Sequence, residues 1–176
     1  MTHPIVRLMD AIYLACIWIS GIALLVMCVV IPIGVFARYV FGFGAQWPEP
    51  IAILMMVVFT FFGAAAAYRA GSHIAVQMLT DRLPAAARQA CAWFVHLAMF
   101  VVSGFVVLWG FRLVQGMMGQ TISELPWLPV GVTYLALPLG SLVTLLFVLE
   151  TVVFGSQHAR PICTFDHEPG VAEEAI

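Results

Sequence analysis

The stretch PIAILMMVVFTFFGAAAAY, residues 50–68, contains no charged side chain. A helix needs about 20 mainly apolar residues to cross the hydrocarbon core of a bilayer, so this stretch is long enough for one crossing. Charged residues return at once in the following stretch, RAGSHIAVQMLTDRLP, residues 69–84. The change from one stretch to the other therefore predicts the point at which a helix leaves the membrane.

The rest of the chain repeats this pattern. Further uncharged runs lie at residues 11–37, 89–111 and 125–149. The chain of 176 residues is 63% hydrophobic and 9% charged, whereas a soluble domain carries about 25% charged residues. A globule could not hide this much apolar surface, so lipid must be the solvent of the chain. We predict an all-α integral membrane protein with four transmembrane helices.

The predicted domain organisation is one membrane domain followed by a tail. The membrane domain covers residues 1–155, with spans at about residues 11–37, 48–69, 89–113 and 130–152. Residues 156–176 contain prolines and acids but few large apolar residues, so they are predicted to form a flexible cytoplasmic tail.

The distribution of arginines predicts the orientation of the spans. With four spans, both termini and the loop after residue 68 share one side of the membrane. That side contains Arg7, Arg69, Arg82, Arg88 and Arg160, whereas the other side contains Arg38 and Arg112. Because positive residues preferentially stay in the cytoplasm, both termini are predicted to be cytoplasmic.

Residues 73–83 are predicted to form a short amphipathic helix between spans two and three. At 100° per residue, the polar side chains His73, Gln77, Thr80 and Asp81 fall on one arc, and Ile74, Val76, Met78, Leu79 and Leu83 fill the other. Such a helix would lie in the membrane interface and stop at Pro84. The alternative is an ordinary loop with chance periodicity.

Charged residues at the ends of the spans form two tiers. The outer tier consists of Arg38, Glu49, Arg112 and Glu124, with Trp47 and Trp127 as interfacial anchors, and the inner tier consists of Arg7, Asp10, Arg69, Arg88 and Glu150. On the inner side, Arg69 and Glu150 are a candidate pair, with Arg88 or Arg7 as the other candidate partners. On the outer side, Arg38 and Glu49 are the candidate pair. The alternative is that each side chain extends into the lipid headgroups.

The run Gly63–Ala67 predicts a helix face that another helix can approach closely, because packing of small residues drives helix association in lipid. Either the chain's own helices or another subunit would pack there.

The chain has no catalytic nucleophile motif, paired carboxylates or phosphate-binding loop, so we predict that it is not an enzyme and uses no cofactor or metal. It lacks lysine and a basic tract, which argues against nucleic-acid binding.

His96 is the histidine deepest in a predicted span, and it is expected to be neutral and hydrogen-bonded across helices. It also leaves open an alternative, a haem-binding four-helix membrane electron-transfer subunit, although such a site usually has a second axial histidine at similar depth. A small self-contained transporter or channel would be expected to carry a polar stripe within one span, and the sequence shows none.

Several short motifs, in order, resemble one known family. They are VFARYVF at residues 35–41, Trp47 with Glu49, the segment from Gly63 to Ile74, SELP at residues 123–126, and Tyr134 through LPLG at residues 137–140. Together, over residues 5–155, the chain resembles the small permease subunit of tripartite ATP-independent periplasmic (TRAP) transporters. The family usually has a second acid after the tryptophan and an acid near Gln77, and this chain has neither.

The resemblance implies a multi-pass subunit in the bacterial inner membrane that works beside a large permease subunit and a periplasmic substrate-binding protein. Sodium-driven uptake of an organic acid would take place in the large subunit, and the small subunit would act as a scaffold and as part of the docking surface. The residues expected at the docking surface or outer interface are Arg38, Trp47, Glu49, Arg112 and Glu124. Those expected to anchor or pair on the inner side are Arg69, His73, Arg88 and Glu150, and those expected in helix packing are Gly63, Ala67, Pro138 and Gly140.

Overall fold

The computed structural model describes residues 4–42, 46–71 and 84–154. The predicted interfacial helix at residues 73–83 and the predicted tail at residues 156–176 lie outside the described residues. The elements in chain order are helix α1 (Pro4–Tyr39), α2 (Pro48–Ala70), α3 (Ala85–Met117), strands β1 (Thr121–Ile122) and β2 (Leu125–Pro129), and helices α4 (Val130–Tyr134) and α5 (Ala136–Phe154).

The described residues contain four helical segments that are long and apolar enough to cross a membrane. These segments are Val6–Tyr39, Pro48–Ala70, Ala87–Met117 and Val130–Val153, the last formed by α4 and α5 together. The predicted fold class, an all-α membrane protein with four spans, is therefore confirmed. Helices α1 and α3 extend beyond the predicted spans, because the loss of apolar character marks the edge of the membrane and not the end of a helix.

The helices pack in the order α1, α2, α5, α3. Helix α2 lies against both α1 and α5, and α5 lies against α3. A buried core forms where the first three of these helices meet, from Cys16, Ala65, Ala66, Tyr68, Phe147 and Val148. This arrangement leaves one face of α1 and one of α3 open. Large apolar side chains such as Trp18 and Phe94 are 69% and 71% exposed there, as expected for surfaces that contact lipid or another membrane subunit.

Glycines of α1 and α5 bring these two helices close to α2. A Cβ atom added to Gly140 of α5 would lie 2.6 Å from Phe61 Cβ of α2. One added to Gly34 of α1 would lie 2.8 Å from Pro48 Cβ at the start of α2. Since such distances are too short for a real carbon contact, the backbones at both crossings can approach this closely only because no side chain is present.

A small antiparallel hairpin joins α3 to α4, and the sequence pattern did not predict it. Thr121 pairs with Pro129 and Ile122 with Leu125, while the Val130 N–H donates a hydrogen bond to the Gln120 carbonyl oxygen at 2.8 Å. The strand LPWLP contains two prolines, which normally argue against a strand. The hairpin holds this loop against the end of the bundle, where Leu125 is buried.

Candidate functional site

Arg69, in the last turn of α2, connects three helices through ion pairs. Its Nε donates a hydrogen bond to Glu150 Oε2 at 2.8 Å and its Nη2 donates to Glu150 Oε1 at 2.9 Å, so the contact with α5 is bidentate. Nη2 also donates to Asp10 Oδ1 of α1. We call these three residues the Arg69 cluster.

The Arg69 cluster is largely shielded from solvent. The side chains of Arg69 and Glu150 are 3% and 2% exposed, whereas that of Asp10 is 31% exposed. The guanidinium carbon lies 5.3 Å from the centre of the Tyr13 ring and 5.4 Å from that of Phe147, within the range of cation–π attraction. A guanidinium enclosed in this way depends on its acidic partners, because an unpaired buried charge is costly.

The end of α2 explains why Arg69 lies at this place. Gly71 has a positive φ of 66°, the left-handed conformation that commonly ends a helix. Its N–H donates to the Tyr68 carbonyl oxygen at 3.1 Å. Arg69 therefore occupies the last turn, where a cation also interacts favourably with the negative end of the helix dipole.

A second polar contact connects α2 to α3 next to the Arg69 cluster. The Tyr68 hydroxyl and His96 Nδ1 are hydrogen-bonded at 2.8 Å, and their rings meet edge to face with centres 6.3 Å apart. The predicted hydrogen bond of His96 across helices is thus confirmed, with Tyr68 as its partner. Two adjacent residues of α2 therefore connect this helix to its neighbours: Tyr68 contacts α3, and Arg69 contacts α1 and α5.

The remaining inner-side residues lie in different surroundings. Arg88 is exposed in the first turn of α3, and its N–H donates to the Pro84 carbonyl oxygen at 3.1 Å. His73 lies outside the described residues. Asp10 was placed in the inner tier by the sequence, but its pairing with Arg69 was not predicted. The sequence did offer a signal for this pair. Asp10 directly precedes an uncharged run and lies on the side of the membrane where α2 ends.

At the opposite end of the bundle, a cleft of about 520 Å³ collects residues from α1, α2, the hairpin and α4. We call it the Arg38 cleft. Its charged lining residues are Arg38, Glu49 and Glu124, its other polar ones are Gln46, Thr133 and Tyr134, and its apolar ones are Pro50, Ile53, Leu54, Val57, Ile122 and Val130. Three members of the predicted outer tier therefore share one cleft.

The candidate pair between Arg38 and Glu49 is not formed. Both residues lie in the described part of the chain, and neither a hydrogen bond nor an ion pair joins them there. The remaining outer-tier residues do not line this cleft. Trp47 precedes α2 and is 40% exposed, while the Arg112 guanidinium carbon lies 5.3 Å from the centre of the Trp109 ring on α3.

The predicted helix-packing residues differ in how closely they approach other helices. Pro138 is fully buried, and Gly140 makes the close approach to α2 described above. A Cβ atom at Gly63 would be 3.8 Å from Ser20 Cβ, an ordinary contact distance. Ala67 is partly buried. Among residues 4–42, 46–71 and 84–154, no group of three histidine, cysteine or acidic side chains is placed to hold a metal ion.

Comparison with known proteins gives one consistent match. The family model for the DctQ component of tripartite ATP-independent periplasmic transporters matches residues 26–157. The chain is 29% identical over 131 residues to the C4-dicarboxylate TRAP transporter small permease protein DctQ of Rhodobacter capsulatus, covering 72% of this chain and 56% of that protein. It is 26% identical over 113 residues to a putative TRAP transporter small permease protein of Haemophilus influenzae, and this match covers 64% of this chain and 70% of that protein.

A further relative is considerably longer. The chain is 32% identical over 173 residues to the uncharacterized protein y4mM of Sinorhizobium fredii, and the match covers 89% of this chain but 31% of that protein. The chain therefore spans about half the length of the Rhodobacter relative and about a third of the Sinorhizobium relative.

Proposed function

The chain belongs to the DctQ family of tripartite ATP-independent periplasmic transporters, and on this basis we propose that it is the small membrane subunit of a sodium-coupled transporter that takes up an organic acid. The observation that carries the proposal is the family match over residues 26–157, which includes the C-terminal part of α1 and all of α2, α3, the hairpin, α4 and α5. The family consists of transporter components, in agreement with the prediction that the chain is not an enzyme.

The proposed role of the chain is that of a scaffold for a large permease subunit. A bidentate pair between buried Arg69 and Glu150 supports this role, since it restrains α2 relative to α5 at a point that lipid and water hardly reach. The hydrogen bond between Tyr68 and His96 restrains α3 in the same way. The open apolar faces of α1 and α3 supply the surface on which a membrane partner would pack.

The proposed orientation places both termini and the Arg69 cluster on the cytoplasmic side of a bacterial inner membrane. The Arg38 cleft would then face the periplasm, where its rim, together with Trp47 and Arg112 on the same predicted side, would form part of the docking surface for a substrate-binding protein. Support comes from the arginine distribution and from the meeting of three charged side chains at one end of the bundle.

The described residues offer no specific observation in favour of the haem-binding alternative. His96 is engaged with the Tyr68 hydroxyl, and the other histidines, His3, His73, His158 and His167, lie outside the described residues. The match to a family of transporter components supports the transport proposal instead.

Uptake into proteoliposomes tests the proposal. The chain, its cognate large permease and the binding protein are supplied together and with each omitted in turn, under an imposed sodium gradient. A labelled C4-dicarboxylate is the first substrate to try, because the Rhodobacter relative is named for that class, and other organic acids follow. We expect uptake only when all three components are present. Full uptake without this chain, or uptake by this chain alone, would contradict the proposed role.

A further inference from the structure

The Arg38 cleft contains an unbalanced set of charges. One cation, Arg38, and two acids, Glu49 and Glu124, line it. Within the described residues, no hydrogen bond or ion pair joins any two of them. Charged side chains at a membrane surface gain from compensating charge, since the low dielectric nearby strengthens electrostatic interactions. The cleft is therefore complementary to a ligand that carries one anionic and at least one cationic group.

A second cavity, of about 330 Å³, adjoins the cleft. The two cavities share Arg38, Glu49 and Ile53. The second cavity is lined mainly by apolar or uncharged residues of α1 and α2: Ile31, Gly34, Val35, Tyr39, Pro48 and Ala52. The Arg38 cleft, half of whose lining residues are charged or polar, thus meets a mainly apolar groove at the two shared charged residues. This arrangement fits an amphiphile better than a water-soluble ligand.

The position along the helices agrees with a lipid as the occupant. Arg38 lies in the last turn of α1 and Glu49 in the first turn of α2, so the charged part of the cleft is at the end of two membrane-spanning helices. Trp47 and Trp127 are 40% and 74% exposed nearby in the chain, as expected for aromatic residues at the level of the headgroups. The apolar groove runs from there toward the bilayer interior along Val35 and Ile31.

We propose that the Arg38 cleft binds the headgroup of an aminophospholipid such as phosphatidylethanolamine, with Arg38 on the phosphate and Glu49 and Glu124 on the ammonium group. One acyl chain occupies the adjoining groove. The primary ammonium donates hydrogen bonds to the carboxylates, which the quaternary ammonium of phosphatidylcholine does not do. A net excess of one negative charge among the three residues disfavours anionic lipids such as phosphatidylglycerol. This proposal does not depend on the transport function, because the chain by itself contains the cleft.

Lipid binding to the purified full chain tests the site. The chain in detergent is titrated with phosphatidylethanolamine, phosphatidylcholine or phosphatidylglycerol of matched acyl chains, and bound lipid is counted by native mass spectrometry. We expect phosphatidylethanolamine to bind tightest. Arg38→Gln should weaken its binding about tenfold, the size of effect expected for one charge-assisted hydrogen bond. Arg112→Gln, on the same side but outside the cleft, should leave binding unchanged.

The carboxylates are tested by selectivity rather than by affinity alone. Glu49→Gln combined with Glu124→Gln should reduce the preference for phosphatidylethanolamine over phosphatidylglycerol, a readout that a general loss of folding would not produce. Arg38→Lys keeps the charge and should retain most of the binding, and circular dichroism verifies the helix content of every variant. Equal binding of the three lipids by the unaltered chain, or equal losses from Arg38→Gln and Arg112→Gln, would refute the proposal. So would an Arg38→Gln variant that binds lipid normally but fails to assemble with a large permease, because a protein partner would then occupy the cleft.

Discussion

Replacement of Arg69 by methionine should strongly destabilise the bundle. The change keeps an unbranched side chain of suitable length between the Tyr13 and Phe147 rings but removes both hydrogen bonds to Glu150. Glu150 is 2% exposed, so its carboxylate is left buried without its cation. Loss of one partner from a buried pair costs about 3–5 kcal/mol, and we expect the free energy of unfolding to fall by this amount.

The geometry also ranks the related variants. Asp10→Asn should cost at most about 1 kcal/mol, because the Asp10 side chain is 31% exposed and water compensates much of the loss. The cost of Arg69→Lys should lie between the costs of Arg69→Met and Asp10→Asn, since an ammonium cannot reproduce the bidentate contact with Glu150. The double replacement of Arg69 and Glu150 by methionine should cost less than Arg69→Met alone, because it leaves no buried charge of this pair.

Unfolding in mixed micelles, followed by circular dichroism during a titration with sodium dodecyl sulfate, measures these differences. The double-mutant cycle gives the coupling energy between Arg69 and Glu150, which should be favourable and larger than that of an exposed pair. If Arg69→Met were no more destabilising than Asp10→Asn, or if the two methionine replacements were additive, the burial of a coupled ion pair would not be the source of stability at this end of the bundle.

Further predictions concern packing, hydrogen bonding and topology. Gly140→Ala should lower the free energy of unfolding by about 1–3 kcal/mol, because the new Cβ would overlap the backbone of α2. The control Gly63→Ala should leave this free energy unchanged. The same detergent titration compares the two variants, and equal effects would contradict the close approach of α5 to α2. Tyr68→Phe should cost about 1 kcal/mol by removing the hydrogen bond to the histidine of α3, and an unchanged unfolding curve would show that this bond does not contribute. In a cysteine-free background, a cysteine that replaces Gly119 should react with an impermeant maleimide added outside intact cells, whereas a cysteine that replaces Arg88 should not. The reverse labelling pattern would show that the orientation is opposite to the proposed one.

The parts of the fold that follow from single segments were predictable. Each span could be predicted from its own length and apolar composition, because the thickness of the hydrocarbon core sets the length of a crossing helix. The family resemblance also rested on short motifs in sequence order. The hairpin was missed because its strand LPWLP has no alternating pattern and contains prolines, and it forms through pairing with Thr121 and Ile122 and burial of Leu125 against the bundle.

By itself the sequence determined that this chain has four lipid-compatible helices with charged residues at their ends. Only the tertiary structure decided which of those charges meet. Arg69 joins Glu150 and Asp10 because α2 packs against both α5 and α1, whereas Arg38 and Glu49, equally promising as a pair, line a cleft without bonding to each other. Hydrophobicity belongs to each segment alone, but a contact between side chains depends on the rotation and packing of two helices, which the composition of either one does not specify.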